Sequence, residues 1–186
     1  MRALKGIRKE NKQRLTLNLL IAFSFSIAVV NRIHLDIEDA VWHRFPNLCS
    51  YCGKKPCICK KEKVIEQVKI LRRPSERPNR LIDFQTMFAE IYPAVDRTLA
   101  DAGVHLAEEV GEVSEAIYIY LGDHKANHFE DIRDELADWF SCAFGVANSA
   151  GIDIAGEFAK MFKNGCHLCH NTPCTCNFTT VAMFKS

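Results

Sequence analysis

Six acidic residues and eight cysteines carry the types and spacings from which chemistry can be built. Glu108, Glu109, Glu112 and Glu115 precede Gly122, and Glu135 and Asp138 follow it. If both stretches are helical, Glu109 with Glu112 and Glu135 with Asp138 are i,i+3 pairs, each on one face about one turn apart. A hairpin of those helices sets four carboxylates face to face, where they repel and shift one another's pKa values. A divalent cation relieves the repulsion, and all-oxygen ligation suits Mg²⁺ or Mn²⁺. The competing reading is a solvated acidic face, the usual fate of such residues. Against it, Glu109 and Glu112 interleave with Val110 and Val113, and Glu135 and Asp138 flank Leu136 and Ala137. That context predicts carboxylates at the edge of a core.

The cysteines form two sets of one pattern. Cys49, Cys52, Cys57 and Cys59 read C-x2-C-x4-C-x-C, and Cys166, Cys169, Cys174 and Cys176 read the same. Four thiolates so closely spaced suit one structural Zn²⁺ per set, with no open coordination position, better than a spread disulfide framework. Two such sites imply a reducing compartment, with the cytoplasm as the expected location. The ninth cysteine, Cys142, sits in an apolar run and reads as a small buried hydrophobe.

The cysteine sets are offset by 117 residues at all four positions, and the same offset aligns their upstream neighbours. Leu19 matches Leu136, Phe23 matches Phe140, Asn31 matches Asn148, Asp36 matches Asp153, and Phe45 matches Phe162. Agreement over about forty residues predicts an internal duplication. In the first copy Asn18 stands in place of Glu135 and Ile21 in place of Asp138, and counterparts of Glu108, Glu109 and Glu112 would precede residue 1. That copy therefore holds no acidic pocket: it is degenerate, or the chain lacks an N-terminal part.

The elements that must position these groups read as helices throughout. Apolar periodicity predicts helices over Leu81–Tyr92, Val95–Leu121, with Leu106, Val110, Val113, Ile117 and Tyr120 on one face, and Phe129–Ser149. Asp153 is the expected N-cap of a last helix to about Phe162. Within the charged segment Lys60–Arg80, Val64, Val68, Ile70 and Leu71 predict a short helix, ended by Pro74 and Pro78. The domain reading is a partial repeat with its zinc module over 1–60, a linker over 61–80, a helical domain over 81–165 and a zinc module with tail over 166–186. The apolar run Leu19–Val30 follows a basic head, as in a secretory signal, but lacks a small-residue cleavage site and is too short to span a bilayer. Of the 186 residues, 48% are apolar or aromatic, enough for a core, and the net charge of +1 favours no membrane or nucleic-acid partner.

The string Glu108-Glu109-x-x-Glu112, 22 residues, then Glu135-x-x-Asp138 resembles the signature of the MazG-like all-α nucleoside triphosphate pyrophosphohydrolases. The flanking HLAEEVGEVSEAI and DELADWFSCAFGVAN, and GIDI before the last helix, are similar to that family over about Leu81 to Lys163. The resemblance implies an antiparallel four-helix bundle in which Glu109, Glu112, Glu135 and Asp138 hold Mg²⁺ against the triphosphate. It implies attack of water on the α-phosphorus, releasing a nucleoside monophosphate and pyrophosphate. Glu108 would then assist as base or hold a second ion, and Lys160, Lys163 and Asn164 would face the phosphates. The family's helical dimers imply a pseudo-dimer of the two copies or a homo-oligomer. A rival from another class is a zinc protein whose helices scaffold two modules for nucleic acid or protein. The modules carry few basic residues beyond Lys54, Lys55, Lys60 and Lys61, thin for a nucleic-acid reader. A carboxylate-bridged di-iron site lacks its E-x-x-H pairs.

Overall fold

A computed structural model describes residues 8–177 apart from 63, 65 and 67. Among the described residues the regular structure is helical: α1 (Lys9–Arg32), α2 (Ile37–Arg44), α3 (Leu81–Ile91), α4 (Leu99–Asp123), α5 (Ala126–Ala150) and α6 (Ile154–Met161), with a 3₁₀ turn at Pro74–Glu76. Two four-cysteine loops follow α2 and α6. The expected all-α architecture with two cysteine modules is therefore present.

The central element is α5. It buries Ile132, Leu136, Trp139, Phe140, Phe144 and Val146, together with small residues that let its neighbours approach. Helix α4 lies antiparallel to it, joined by a turn at His124 and Lys125. Only Ala102 and Ala116 of α4 are fully buried. Leu106, Val113, Ile117 and Tyr120 pack at the core margin as expected, whereas Val110 is 51% exposed and leaves the predicted face. On the other side Phe23 of α1 is fully buried and meets Trp139, Phe140, Phe144 and Phe158 edge-on, with ring centroids 5.3–6.0 Å apart. Edge-to-face contacts of this kind stabilise beyond what the area buried by each ring supplies. Phe45, after α2, packs on Phe88 and Tyr92 of α3 and its end.

Local chemistry sets the boundaries. Thr98 and Asp101 form a reciprocal capping box, so α4 begins at Leu99 and the stretch from Val95 is not helical. Asp153 caps α6 through the Gly156 N–H, and Asp36 caps α2 through the Asp39 N–H. Gly151 ends α5 in the left-handed region at φ 62°, and His34 holds that conformation after α1 at φ 55°. Gln85 is buried with both amide atoms engaged: its Nε2 donates to Asn148 Oδ1 and the Ile152 carbonyl, and its Oε1 accepts from the Ile154 N–H. It fastens α3 to the α5–α6 turn.

Two further expectations need correction. The helix predicted around Val64–Leu71 is absent among the described residues. Instead the Val68 N–H donates to the Tyr51 carbonyl, and Val68 and Ile70 lie beside Gly53 of the first cysteine loop. The apolar run Leu19–Val30 is also part of a longer helix, because Lys9–Asn18 continues it without a break. By length and composition α1 could cross a membrane, so the length argument against a span does not stand. In this fold its Leu19, Leu20, Phe23 and Val30 nevertheless enter the core.

The 117-residue offset recurs in the structure. Helices α1 and α5 start at positions related by it, and α2 and α6 share both ends under it. The Gly53 N–H donates to the Cys49 carbonyl at 2.9 Å and the His170 N–H to the Cys166 carbonyl at 2.7 Å.

Candidate metal centre

Glu109 of α4 and Glu135 and Asp138 of α5 come together at the hairpin, each offering a carboxylate oxygen within 4.8 Å of the other two. Antiparallel pairing places the i,i+3 face of α5 against α4. Burial pushes Glu109 up to about 7, with further repulsion from Asp138, Glu112 and Glu135. Glu135 is also pushed up to about 7, first by burial, then by Asp138 and Glu112. One oxygen of Glu109, Oε2, is buried without a hydrogen-bond partner. Its other oxygen lies 3.8 Å from the thiol of Cys142, which burial pushes up to about 12. Cys142 is buried, as expected from its apolar run.

Glu112 is exposed at the rim, close enough to Glu135 to raise its pKa through a shared hydrogen bond. Glu108 is exposed and paired with His105, whose Nδ1 lies 2.9 Å from Oε2. Glu115 is exposed one turn further on. An orphaned buried oxygen, three converging hard donors and two carboxyls lifted by burial and by one another's charge fit a small divalent cation such as Mg²⁺ or Mn²⁺.

The sequence reading missed Arg44. Its Nε and Nη2 donate to the two oxygens of Asp138 at 3.1 and 2.5 Å, and its Nη1 lies 3.8 Å from Asp134. Burial raises the Asp138 pKa, and Arg44 opposes that rise. A bidentate guanidinium–carboxylate pair of this kind is both strong and geometrically specific. Arg44 is the last residue of α2, whose own acids, Glu38 and Asp39, lie in its first turn, so the basic end of that helix supplies a cation to the acids of α5.

The cations expected at the phosphates are placed elsewhere. Lys160 pairs with Glu157 and lines a groove with Lys9 and Lys12 of α1. Lys163 and Asn164 are exposed beyond α6 and make no hydrogen bond or ion pair with the carboxylates. The guanidinium of Arg97 does approach this region. It stacks 5.5 Å from the centre of the Tyr92 ring and reaches α5 at Gly145, three residues beyond Cys142.

Each cysteine set converges on one point. Cys49–Cys59 and Cys52–Cys57 sulfurs are 3.8 and 3.9 Å apart, and Cys166–Cys176 and Cys169–Cys174 are both 3.8 Å apart. A tetrahedron with metal–sulfur bonds of about 2.3 Å has edges of about 3.8 Å, so both sets have the spacing of a four-thiolate zinc site. The Thr175 N–H, the largest influence on Cys169, helps hold that thiol down to about 5. Burial pushes Cys52 up, but N–H donors at Ile58 and Lys54 bring it to about 7.

The two sets differ in setting. Cys49 and Cys52 are buried in the core, Tyr92 donates its hydroxyl to Cys49 Sγ, and the Cys57 N–H donates to the Ile91 carbonyl. In the second set Cys174 is exposed and the others are half-buried.

No family model, curated protein or solved structure matches the chain.

Proposed function

We propose that the chain is a MazG-like, Mg²⁺-dependent nucleoside triphosphate pyrophosphohydrolase built from a duplicated helical unit. The observation that carries the reading is the convergence of Glu109, Glu135 and Asp138 from two antiparallel helices, with a buried Glu109 oxygen lacking any partner. Glu109, Glu135 and Asp138 are assigned as ligands of the cation, with Glu112 completing the set from the rim. The bound cation would neutralise charge on the phosphate oxygens and promote ionisation of water. Glu108 is assigned to accept the proton of the water that attacks the α-phosphorus, with His105 fixing its carboxylate. The products are a nucleoside monophosphate and pyrophosphate. Arg44 keeps Asp138 oriented and opposes the rise in its pKa that burial causes.

The matching element bounds at a 117-residue offset support descent of 1–60 and the 81–186 region from one unit. The packing of Phe23 on α5 and α6 supports a pseudo-dimer in which the first copy stabilises the second. Structural zinc in both modules suggests a reducing compartment, and we assign the cytoplasm.

A second reading is favoured by Arg44. Its bidentate hold on Asp138 already balances one carboxylate, as it would in a scaffold whose acids are structural. A scan of NTPs and dNTPs with Mg²⁺ separates the two. The hydrolase reading expects pyrophosphate and no orthophosphate. The scaffold reading expects no turnover from protein that retains its zinc.

A further inference from the structure

Between the first four-cysteine loop and the start of α4 lies a cleft of about 600 Å³. Its walls include Tyr51, Tyr92, Arg97, Asp101, Val104 and His105. That volume is within the usual range for a small-molecule site, and the mixture of aromatic surface with a few converging polar groups is what such sites use. The converging carboxylates lie outside the cleft lining, further along the same helix. Asp101, His105, Glu109 and Glu112 follow one another at four-, four- and three-residue steps, so they form one stripe along α4.

Arg97 stands where the cleft meets that stripe. It has no ion pair among the described residues, whereas Arg44, Lys60, Lys61 and Lys160 all do. The Tyr92 ring supports one face of its guanidinium. Gly145 leaves room for it on α5, since a Cβ there would lie 2.9 Å from Nη1. Three residues before Gly145, Cys142 contacts Glu109. An unpaired guanidinium within about a turn of the acids is suited to phosphate, which it can grip through two parallel donors.

We propose that this cleft seats the nucleoside end of the triphosphate, with the first cysteine loop as one wall and Arg97 gripping the phosphates beside the carboxylates. The assignment rests on the pyrophosphohydrolase reading and deepens it. The phosphates lie between Arg97 and the acidic stripe. The base enters against Tyr51 and the cysteine loop, and Asp101 and His105 face its polar edge or sugar.

The test uses the full-length, zinc-loaded chain in Mg²⁺. Two probes are titrated: α,β-methylene analogues of the common ribo- and deoxyribonucleotides, which cannot be cleaved at the α-phosphorus, and inorganic tripolyphosphate. Arg97→Ala should weaken both probes by about tenfold or more, the usual scale for a lost hydrogen bond to a charged group. Val104→Trp fills the cleft from an exposed position and should weaken the nucleotide analogue by a similar factor while leaving tripolyphosphate unchanged. Gly145→Ala should displace Arg97 and weaken both probes without lowering Tm.

Wild-type binding of the analogue in both Arg97→Ala and Val104→Trp, with loss in Glu109→Gln, would overturn the cleft assignment and leave the hydrolase reading standing. Equal loss of both probes in Val104→Trp would overturn the placement of the base. Failure of the wild-type chain to bind either probe would remove both readings.

Discussion

Glu109→Gln isolates the electrostatic cost of the carboxylate cluster in metal-free protein, because it keeps the side chain's size and removes one charge. Burial and three neighbouring carboxylates raise the Glu109 pKa from 4.5 to about 7. A raised carboxyl pKa means that the folded state holds a proton which the unfolded chain has released between those two values. The contribution of Glu109 to stability is therefore greatest below about pH 4.5 and falls as the pH rises toward 7. The full lift corresponds to about 3 kcal/mol, and partial solvent access reduces it to about 1–2 kcal/mol. Without added Mg²⁺ at pH 8, the zinc-loaded Glu109→Gln protein should melt about 2–8 °C above wild type. The gap should shrink as the pH falls toward 4.5, where Glu109 is protonated in the folded wild type and half protonated in the unfolded chain. Added Mg²⁺ should raise the wild-type Tm and move the variant little, since a ligand stabilises the state that binds it. Melting followed by circular dichroism across pH, with and without Mg²⁺, reads all three effects. A variant less stable than wild type at pH 8, or a gap independent of pH, would refute the reasoning.

Three further perturbations probe other parts of the structure. Arg44→Met leaves Asp138 without its partner beside two other carboxylates, so metal-free stability should fall by about 1–3 kcal/mol while Mg²⁺ binding tightens in calorimetry. Unchanged Mg²⁺ affinity would mean that Arg44 and the cation do not compete for Asp138. Cys52→Ser and Cys169→Ser should each leave one zinc per chain by metal analysis, but Cys52→Ser should lower Tm much further because its loop is buried against Tyr92 and Phe45; equal effects would contradict that asymmetry. Phe23→Ala should cost about 3–5 kcal/mol in denaturant unfolding, since it empties a fully buried site between α1, α5 and α6, and a loss below about 1 kcal/mol would show that the contact carries little.

Much of the fold was legible where periodicity and caps agree. Helices α3, α5 and α6 lie where apolar spacing and Asp153 place them, and both cysteine sets close as their spacing implies. Helix α4 starts later than the apolar pattern extended by Val95 implies, because Thr98-x-x-Asp101 carries the helix start signal. The Val64–Leu71 pattern misled because its residues are drawn out against the first cysteine loop, a tertiary contact that outweighs local propensity.

The acids were readable as i,i+3 pairs, but their cations were not. Arg44 lies 94 residues from Asp138 in no motif, and Arg97 precedes α4 in a loop. Gly145 beside Arg97 carried a signal only in retrospect: a glycine within a long apolar helix implies close approach by another group.

Product analysis in ¹⁸O-labelled water tests the central claim most directly. Wild-type chain with both zinc ions, Mg²⁺ and a panel of NTPs and dNTPs is followed by mass spectrometry. Attack of water on the α-phosphorus predicts one ¹⁸O in the nucleoside monophosphate, unlabelled pyrophosphate, and loss of both products in Asp138→Asn. Label in pyrophosphate or orthophosphate, or turnover that survives Asp138→Asn, would contradict the assignment of Glu109, Glu135 and Asp138 as the centre of a pyrophosphohydrolase.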